Sequence, residues 1–334
     1  MAPLPMNSFG ATKWAITRVG FGAWAAGGGG WSFGWGAQDD EASIAAIRHA
    51  VEAGVNWVDT AAAYGLGHSE EVVASALEVF DERDRPLVFT KGGLVSDPAD
   101  PMTPPRRVGD PASLRREVEA SLRRLRVDRI DAYQMHWPAT DGTSLDSYWE
   151  VFLTLKGEGL IVAAGLSNHG VDLLERAEKL GHVDVVQPPY SLIHRQAGAE
   201  IIPWCAEHDT AVIVYSPMQS GLLSGAFTKA RVAALAEDDW RKKSSDFTGR
   251  GLEANLALAE ALGPIARRLG VEIGAVAIAW TLANPGVTGA IVGGRSPEQV
   301  DGWLPAAQLA LSGEDLAEIG SAVENSGAGE GPLA

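Results

Sequence analysis

The chain has 334 residues, 46% of them hydrophobic and 21% charged, the composition of a globular protein long enough for one large α/β domain or two medium ones. A net charge of −16 argues against a general nucleic-acid or anionic-membrane surface, although one local cluster of cations and amides would still hold a phosphate. The lone Cys205 excludes an internal disulfide and fits a reducing compartment, and no apolar run is long enough to cross a bilayer.

The opening stretch MAPLPMNSFG has neither a basic region nor an apolar core, so no signal peptide is expected and a cytoplasmic location follows. Met6–Phe9 and Trp14–Thr17 flank Gly10-Ala11-Thr12 and predict an N-terminal hairpin. The first strand proper begins at Val19. Its Gly20-Phe21-Gly22-Ala23-Trp24-Ala25 matches the dinucleotide pattern G-x-G-x-x-A, but that pattern needs a helix directly on the glycines. Gly27 to Gly30 follow instead, and four glycines do not start a helix.

From there a strand–loop–helix unit repeats. A helix over Glu41–Ala53 carries Ile44, Ile47 and Val51 on one face and stops at Gly54. Short apolar strands follow at Val55–Val58, Leu87–Thr90, Ile130–Met135, Ile161–Leu166, Val183–Val186, Ala211–Val214 and Gly289–Val292. Helices are expected between most of them, at Ser69–Phe80, Ala112–Leu125, Leu145–Gly157, Val171–Leu180 and Ile201–His208. With Val19–Ala23 this makes eight buried strands, which predicts a closed (β/α)8 TIM barrel as a single domain over 1–334. Its core spans about 19–304. A doubly wound open sheet is the alternative, since periodicity does not fix topology. Two long loops at the C-terminal face, Gly92–Pro111 with Arg106-Arg107 and Met218–Arg250 with Trp240, are candidate lids. The glycine-rich tail 326–334 is expected to be poorly ordered.

In such a barrel, reacting groups gather where strands finish. That criterion selects Asp59, Lys91, His136, Asn168, Gln187 and Tyr215, each from a different strand. Singly, each has an ordinary explanation as a cap or an anchor; their coincidence at strand ends does not. Tyr64 follows in the loop after Asp59. A phenol with a pKa near 10 is a reluctant acid at neutrality. A lysine ammonium about 4 Å away, at an effective dielectric near 20, contributes roughly 4 kcal/mol, or about 3 pKa units. Lys91 would therefore bring Tyr64 towards pH 7, less the opposing effect of Asp59. A phenol giving a proton to an oxygen suits carbonyl reduction, provided a nicotinamide or flavin delivers hydride.

The segment NWVDTAAAYGLGHSE, Lys91 after LVFT, His136 in YQMHWP, GLSNH at 165–169 and VYSPMQSGLLSG at 214–225 together resemble the aldo-keto reductases, over about Val19 to Leu304. The resemblance implies NADP(H)-dependent interconversion of aldehydes or ketones with alcohols. It implies Tyr64 as general acid/base, tuned by Asp59 and Lys91, with His136 orienting the carbonyl. Ser167, Asn168 and Gln187 would hold the carboxamide, and Tyr215 would stack on the nicotinamide. Gly22 and Ala23 would border the cofactor. Ser216, Met218, Ser220, Gly221 and Leu222 would follow its pyrophosphate, and Gly293, Gly294, Arg295, Ser296 and Gln299 would surround the adenosine 2′-phosphate. Two departures touch cofactor affinity: Ala226 stands where the family often has Lys, and Trp303 where it usually has Asn.

Trp24, Trp31, Trp35 and Trp137 lie on loops at the same barrel end and are expected to wall a substrate pocket. Gly27 to Gly30 would make the loop carrying Trp31 and Trp35 mobile. The expected partner is a small carbonyl or alcohol, with no nucleic acid, membrane or metal, in a monomer or small homo-oligomer. Two other readings keep the barrel: an NADP-binding regulatory subunit of a potassium channel, and a sugar lyase or isomerase using Tyr64 and His136.

Overall fold

The computed structural model describes residues 3–237 and 239–333, so the first two residues, Asp238 and the last residue of the tail lie outside the description. The strands are β1 (Met6–Ser8), β2 (Ala15–Thr17), β3 (Val19–Gly22), β4 (Trp57–Asp59), β5 (Leu87–Gly92), β6 (Leu94–Val95), β7 (Arg106–Arg107), β8 (Ile130–Met135), β9 (Ile161–Ser167), β10 (Val185–Gln187), β11 (Ala211–Val214) and β12 (Gly289–Gly293). Eight of them close a parallel barrel in the order β3-β4-β5-β8-β9-β10-β11-β12, with β12 returning to pair with β3. The (β/α)8 expectation holds, because each near-continuous Val/Ile/Leu run is buried against the barrel interior on one face and a helix layer on the other.

The interior is filled by Trp57, Phe89, Val185, Ile213 and Ile291, and by Phe9 and Ile16 from the β1–β2 hairpin, which plugs the N-terminal end. Full burial of each such side chain is worth roughly 1.5–3 kcal/mol. Gly20 makes room for Trp57: a Cβ there would meet the indole at 2.1 Å. Trp57 Nε1 donates to the Thr17 carbonyl at 2.8 Å, satisfying its one donor inside the barrel.

Strand boundaries shift in one consistent direction. β4, β5, β9 and β10 run on to Asp59, Gly92, Ser167 and Gln187, because the parallel ladder continues through the polar residues, pairing Lys91 with Gln134 and Gln187 with Ser167. These side chains are fixed by strands, not by loops. The long loop 92–111 contains the small β6–β7 hairpin, and 218–250 contains a short helix, Lys229–Ala233. The tail, expected to be loose, is held by Arg195, which donates to the carbonyls of Ala328 and Gly331, and by a bridge between His194 and Glu330. Among the described residues no helix is long and apolar enough to cross a membrane.

Candidate active site

A hydrogen-bonded chain runs across the C-terminal mouth of the barrel. Lys91 Nζ donates to Asp59 Oδ1 at 2.5 Å and to the Thr60 carbonyl at 2.9 Å. Gln187 Nε2 donates to Asp59 Oδ2 at 3.0 Å and lies 3.3 Å from Gln134 Oε1. Ser167 Oγ donates to the Gln187 carbonyl, Asn168 Nδ2 to Ser167 Oγ and to the His136 carbonyl, and Tyr215 O–H to Asn168 Oδ1 at 2.7 Å. His169 supports this chain from below: its Nδ1 lies 2.8 Å from the Ser167 carbonyl, so Nδ1 carries the proton and Nε2 accepts from Tyr148 O–H. Sequence spacing gave no signal for Gln134 or His169 in the site, because neither ends a strand.

Burial is the larger influence on both members of the central pair, raising the Asp59 pKa and lowering that of Lys91, while each partner restores the other's charge. Tyr64 is half-buried beside them, with Lys91 Nζ 5.3 Å from its ring centroid. Its pKa is raised well above 10, first by burial and then by Asp59. This departs from the expectation that Lys91 pulls Tyr64 towards neutrality: the ammonium is bonded to Asp59, and burial with the Asp59 charge outweighs it at the phenol. His136 is 9% exposed, and its pKa is pushed well below 6.5 by burial and by Lys91. Its buried Nδ1 has no partner among the described residues, which leaves Nε2 as the nitrogen that opens on the cavity.

That cavity measures about 730 Å³, within the range of small-molecule and cofactor sites. Asp59, Tyr64, His136, Gly22, Ala23, Ser167, Asn168, Gln187, Tyr215, Ser216, Met218, Ser220, Gly221, Gly293, Gly294, Arg295 and Gln299 all line it. Lys91 lies beneath it. Leu222 does not line it, being fully buried in the core, and Ser296 instead stands at the N-cap of the helix Pro297–Trp303.

All four expected tryptophans line the cavity. Trp24 stacks on Tyr64 with centroids 5.9 Å apart, and Trp31 packs tilted against the same ring at 6.3 Å. Trp240 extends the stack on the far side of Trp24 at 5.7 Å, an aromatic the sequence placed only in a long loop. The first loop is not merely glycine-rich for mobility: Gly27 abuts Gly65, where a Cβ would fall 2.2 Å from the Gly27 carbonyl oxygen. That close approach docks the loop onto the turn that presents Tyr64.

The other arm of the cavity follows β11 and β12. Ser216, Gln219 and Ser220 adopt φ of 58°, 44° and 52°, a cluster of left-handed non-glycine residues. Such conformations cost on the order of 1–3 kcal/mol each and concentrate at ligand clamps. Arg295 donates to the Gln38 side chain and the Ala37 carbonyl. Arg241, also on the cavity wall, is paired with Asp239 at 2.6 Å and lies 4.6 Å over Trp35. Arg241 and Arg231 were not foreseen, since their place on the wall depends on how the 218–250 segment folds back, nor was Glu272, which enters from the N-cap of the helix Ile273–Ala283.

The Aldo/keto reductase family model matches residues 18–324. The chain is 33% identical over 331 residues to the NADH-specific methylglyoxal reductase of Escherichia coli K12, covering 94% of this chain and 98% of that one. It is 31% identical over 320 residues to the aldo-keto reductase YhdN of Bacillus subtilis 168, covering 96% and 93%. Among solved structures it is similar to the glycerol dehydrogenase AKR11B4 from Gluconobacter oxydans, with a TM-score of 0.87, 31% identity and 98% of both chains covered.

Proposed function

This chain belongs to the aldo/keto reductase family, and from that premise we propose that it reduces an aldehyde or ketone to its alcohol with NADPH as the favoured nicotinamide and Tyr64 as the acid. It is an oxidoreductase of the carbonyl–alcohol class. The observation that carries the finer reading is a protonated phenol and a neutral imidazole facing one cavity above the buried Lys91–Asp59 pair.

The residues fit a dinucleotide. Gln187 Oε1 and the second lone pair of Asn168 Oδ1 remain free to receive an amide beside the Tyr215 ring. The left-handed turn at 216–221 and the helix N-terminus after Ser296 suit phosphates. When bound, the nicotinamide supplies the hydride that no side chain can. Tyr64 gives the proton of its hydroxyl to the carbonyl oxygen and is reprotonated from solvent, Lys91 stabilising the transient phenolate. His136 orients that oxygen. A buried N–H without an acceptor is the costlier orphan, so the imidazole proton sits on Nε2 and points at the substrate. The Trp24–Trp31 wall keeps water from the reacting atoms.

For the nicotinamide, Arg295 spends donors on Gln38 and Ala37 but has five, so its remaining N–H groups can meet a 2′-phosphate. A charge-assisted bond of about 1.5–3 kcal/mol corresponds to roughly 10- to 150-fold in affinity. The two donors already committed favour the lower end. The NADH-specific E. coli relative marks the opposite outcome. The test is carbonyl-dependent loss of nicotinamide absorbance over a panel of aldehydes and ketones, with fluorescence titration of NADPH and NADH on wild type and Arg295→Ala. No carbonyl-dependent loss with either nicotinamide would sink the reductase reading. Equal affinities in wild type, or a ratio untouched in Arg295→Ala, would sink the NADPH preference alone.

A further inference from the structure

Four arginines line the cavity, and three of them, Arg231, Arg241 and Arg295, belong to the segments that follow β11 and β12. Arg107 stands apart. It sits in β7, reached from the end of β5, and contacts Trp137, which follows β8. In the closed strand order β5 lies opposite β11 and β8 opposite β12. Arg107 therefore faces the other three from across the mouth, on the substrate side of Tyr64 and His136.

Its position is fixed twice. The backbone is held by the β6–β7 pairing and by Thr140, whose N–H donates to the Arg107 carbonyl at 3.0 Å. The guanidinium carbon lies 4.2 Å from the Trp137 ring centroid, a stack that leaves its N–H edges open. Among the described residues that guanidinium makes no ion pair and donates no hydrogen bond, although the chain carries a net charge of −16. The carboxylates of the flanking loops, Asp97, Asp100, Asp110 and Asp141, instead accept from local backbone or hydroxyl donors. Arg83, Arg106 and Arg129 are likewise unpaired among the described residues, so what sets the exposed Arg107 apart is its stack on Trp137 in the cavity wall. A planar fork held in place on a cavity wall, with its edges unspent, matches a carboxylate.

We propose that the substrate is an aldehyde or ketone that also bears a carboxylate, and that Arg107 determines this specificity by receiving it; the proposal rests on the reductase reading of the same cavity. Trp137 directly follows His136. From 3.8 Å between adjacent Cα atoms plus side-chain reach, the guanidinium lies on the order of 10 Å from the imidazole. A benzene ring or a short alkyl chain spans that gap, and the wall between is apolar. Because Arg107 is already ordered, little freedom is lost on binding.

The probes are 4-formylbenzoate and its methyl ester. Binding is followed by quenching of tryptophan fluorescence in wild type, Arg107→Met and Arg107→Lys, and turnover in parallel by nicotinamide absorbance. For a pair at a solvent-accessible wall, wild type should bind the carboxylate roughly 5- to 30-fold tighter than the ester. Added salt should shrink the ratio, Arg107→Met should bring it to about one, and Arg107→Lys should keep part of it. Equal binding in wild type, or a ratio unmoved by Arg107→Met, overturns the proposal. A carboxylate preference without turnover of either aldehyde supports Arg107 while removing the reductase reading. Turnover of both without preference does the reverse.

Discussion

Tyr64→Phe separates a chemical role from a structural one, because the phenol hydroxyl is the one part of this side chain the fold does not use. The ring stacks on Trp24 at 5.9 Å and meets His136 edge-on at 5.8 Å, contacts that phenylalanine keeps. Among the described residues the hydroxyl makes no hydrogen bond, so its removal leaves no orphaned partner. Stability should change by less than about 0.5 kcal/mol, or under about 1 °C in Tm. Loss of a positioned general acid costs about 10²–10⁴ in rate, which is roughly 3–5 kcal/mol in the barrier. The kinetic effect should thus exceed the thermodynamic one several-fold. Initial rates at saturating nicotinamide, cofactor titration and a urea midpoint measure all three on one preparation. A variant keeping more than a tenth of the reductase rate would refute the assignment. So would a rate loss accompanied by equal loss of folding or cofactor binding, since that would make Tyr64 a packing residue.

The carbonyl-reduction rate should stay flat from about pH 7 to 9, because the imidazole charges only well below 6.5 and the phenol ionises only well above 10; a limb near neutrality would contradict both shifts. His169, lowered to about 4 by burial, is neutral in the fold but protonates near 6.5 when unfolded. Its contribution is therefore whole above pH 6.5 and lost as pH falls towards 4, up to about 3 kcal/mol, and denaturant midpoints of wild type and His169→Phe across that window should converge at low pH. Trp31 is 4% exposed, so Trp31→Ala would cost about 3–5 kcal/mol in stability and blur any kinetic effect. Trp31→Phe should instead raise KM for a bulky carbonyl more than for a small one, and equal changes would return Trp31 to a packing role.

What the sequence disclosed and what it hid follow from the same physics. A strand buried on both faces needs an unbroken apolar run, so the first polar residue after the run marks the barrel's C-terminal mouth. Asp59, Lys91, His136, Asn168, Gln187 and Tyr215 were all found that way. The helix Ile273–Ala283 escaped the same reading because nearly all of it is buried, leaving no apolar stripe for periodicity to detect. The ionisation state of Tyr64 escaped as well. Proximity to Lys91 and the pairing of Lys91 with Asp59 were legible, but the burial that dominates the phenol's shift belongs to three-dimensional packing.

The two arms of the cavity differ in how they are encoded, and this explains why substrate and cofactor preference resist reading from the chain. On the chemical arm Asp59, Lys91 and Gln187 lie at strand ends and His136 directly follows one, so their positions are inherited from a ladder that hydrophobic burial already specifies, while Tyr64 stands in the turn after β4. On the other arm Arg295 reaches Gln38, 257 positions away, and the 216–221 turn holds three non-glycine residues in left-handed conformations that no local propensity favours. Surrounding contacts must sustain that turn, and one of them is visible: Gln219 and His194 both bond Asp246 Oδ2, tying the turn to the 245–247 segment and to the loop that holds the tail. Any change in the 218–250 segment therefore acts on the turn before it acts on a ligand. Residues with no contact to the cavity can shift nicotinamide affinity while leaving His136, anchored at the end of β8, and Tyr64, held in the turn docked by Gly27, where they are.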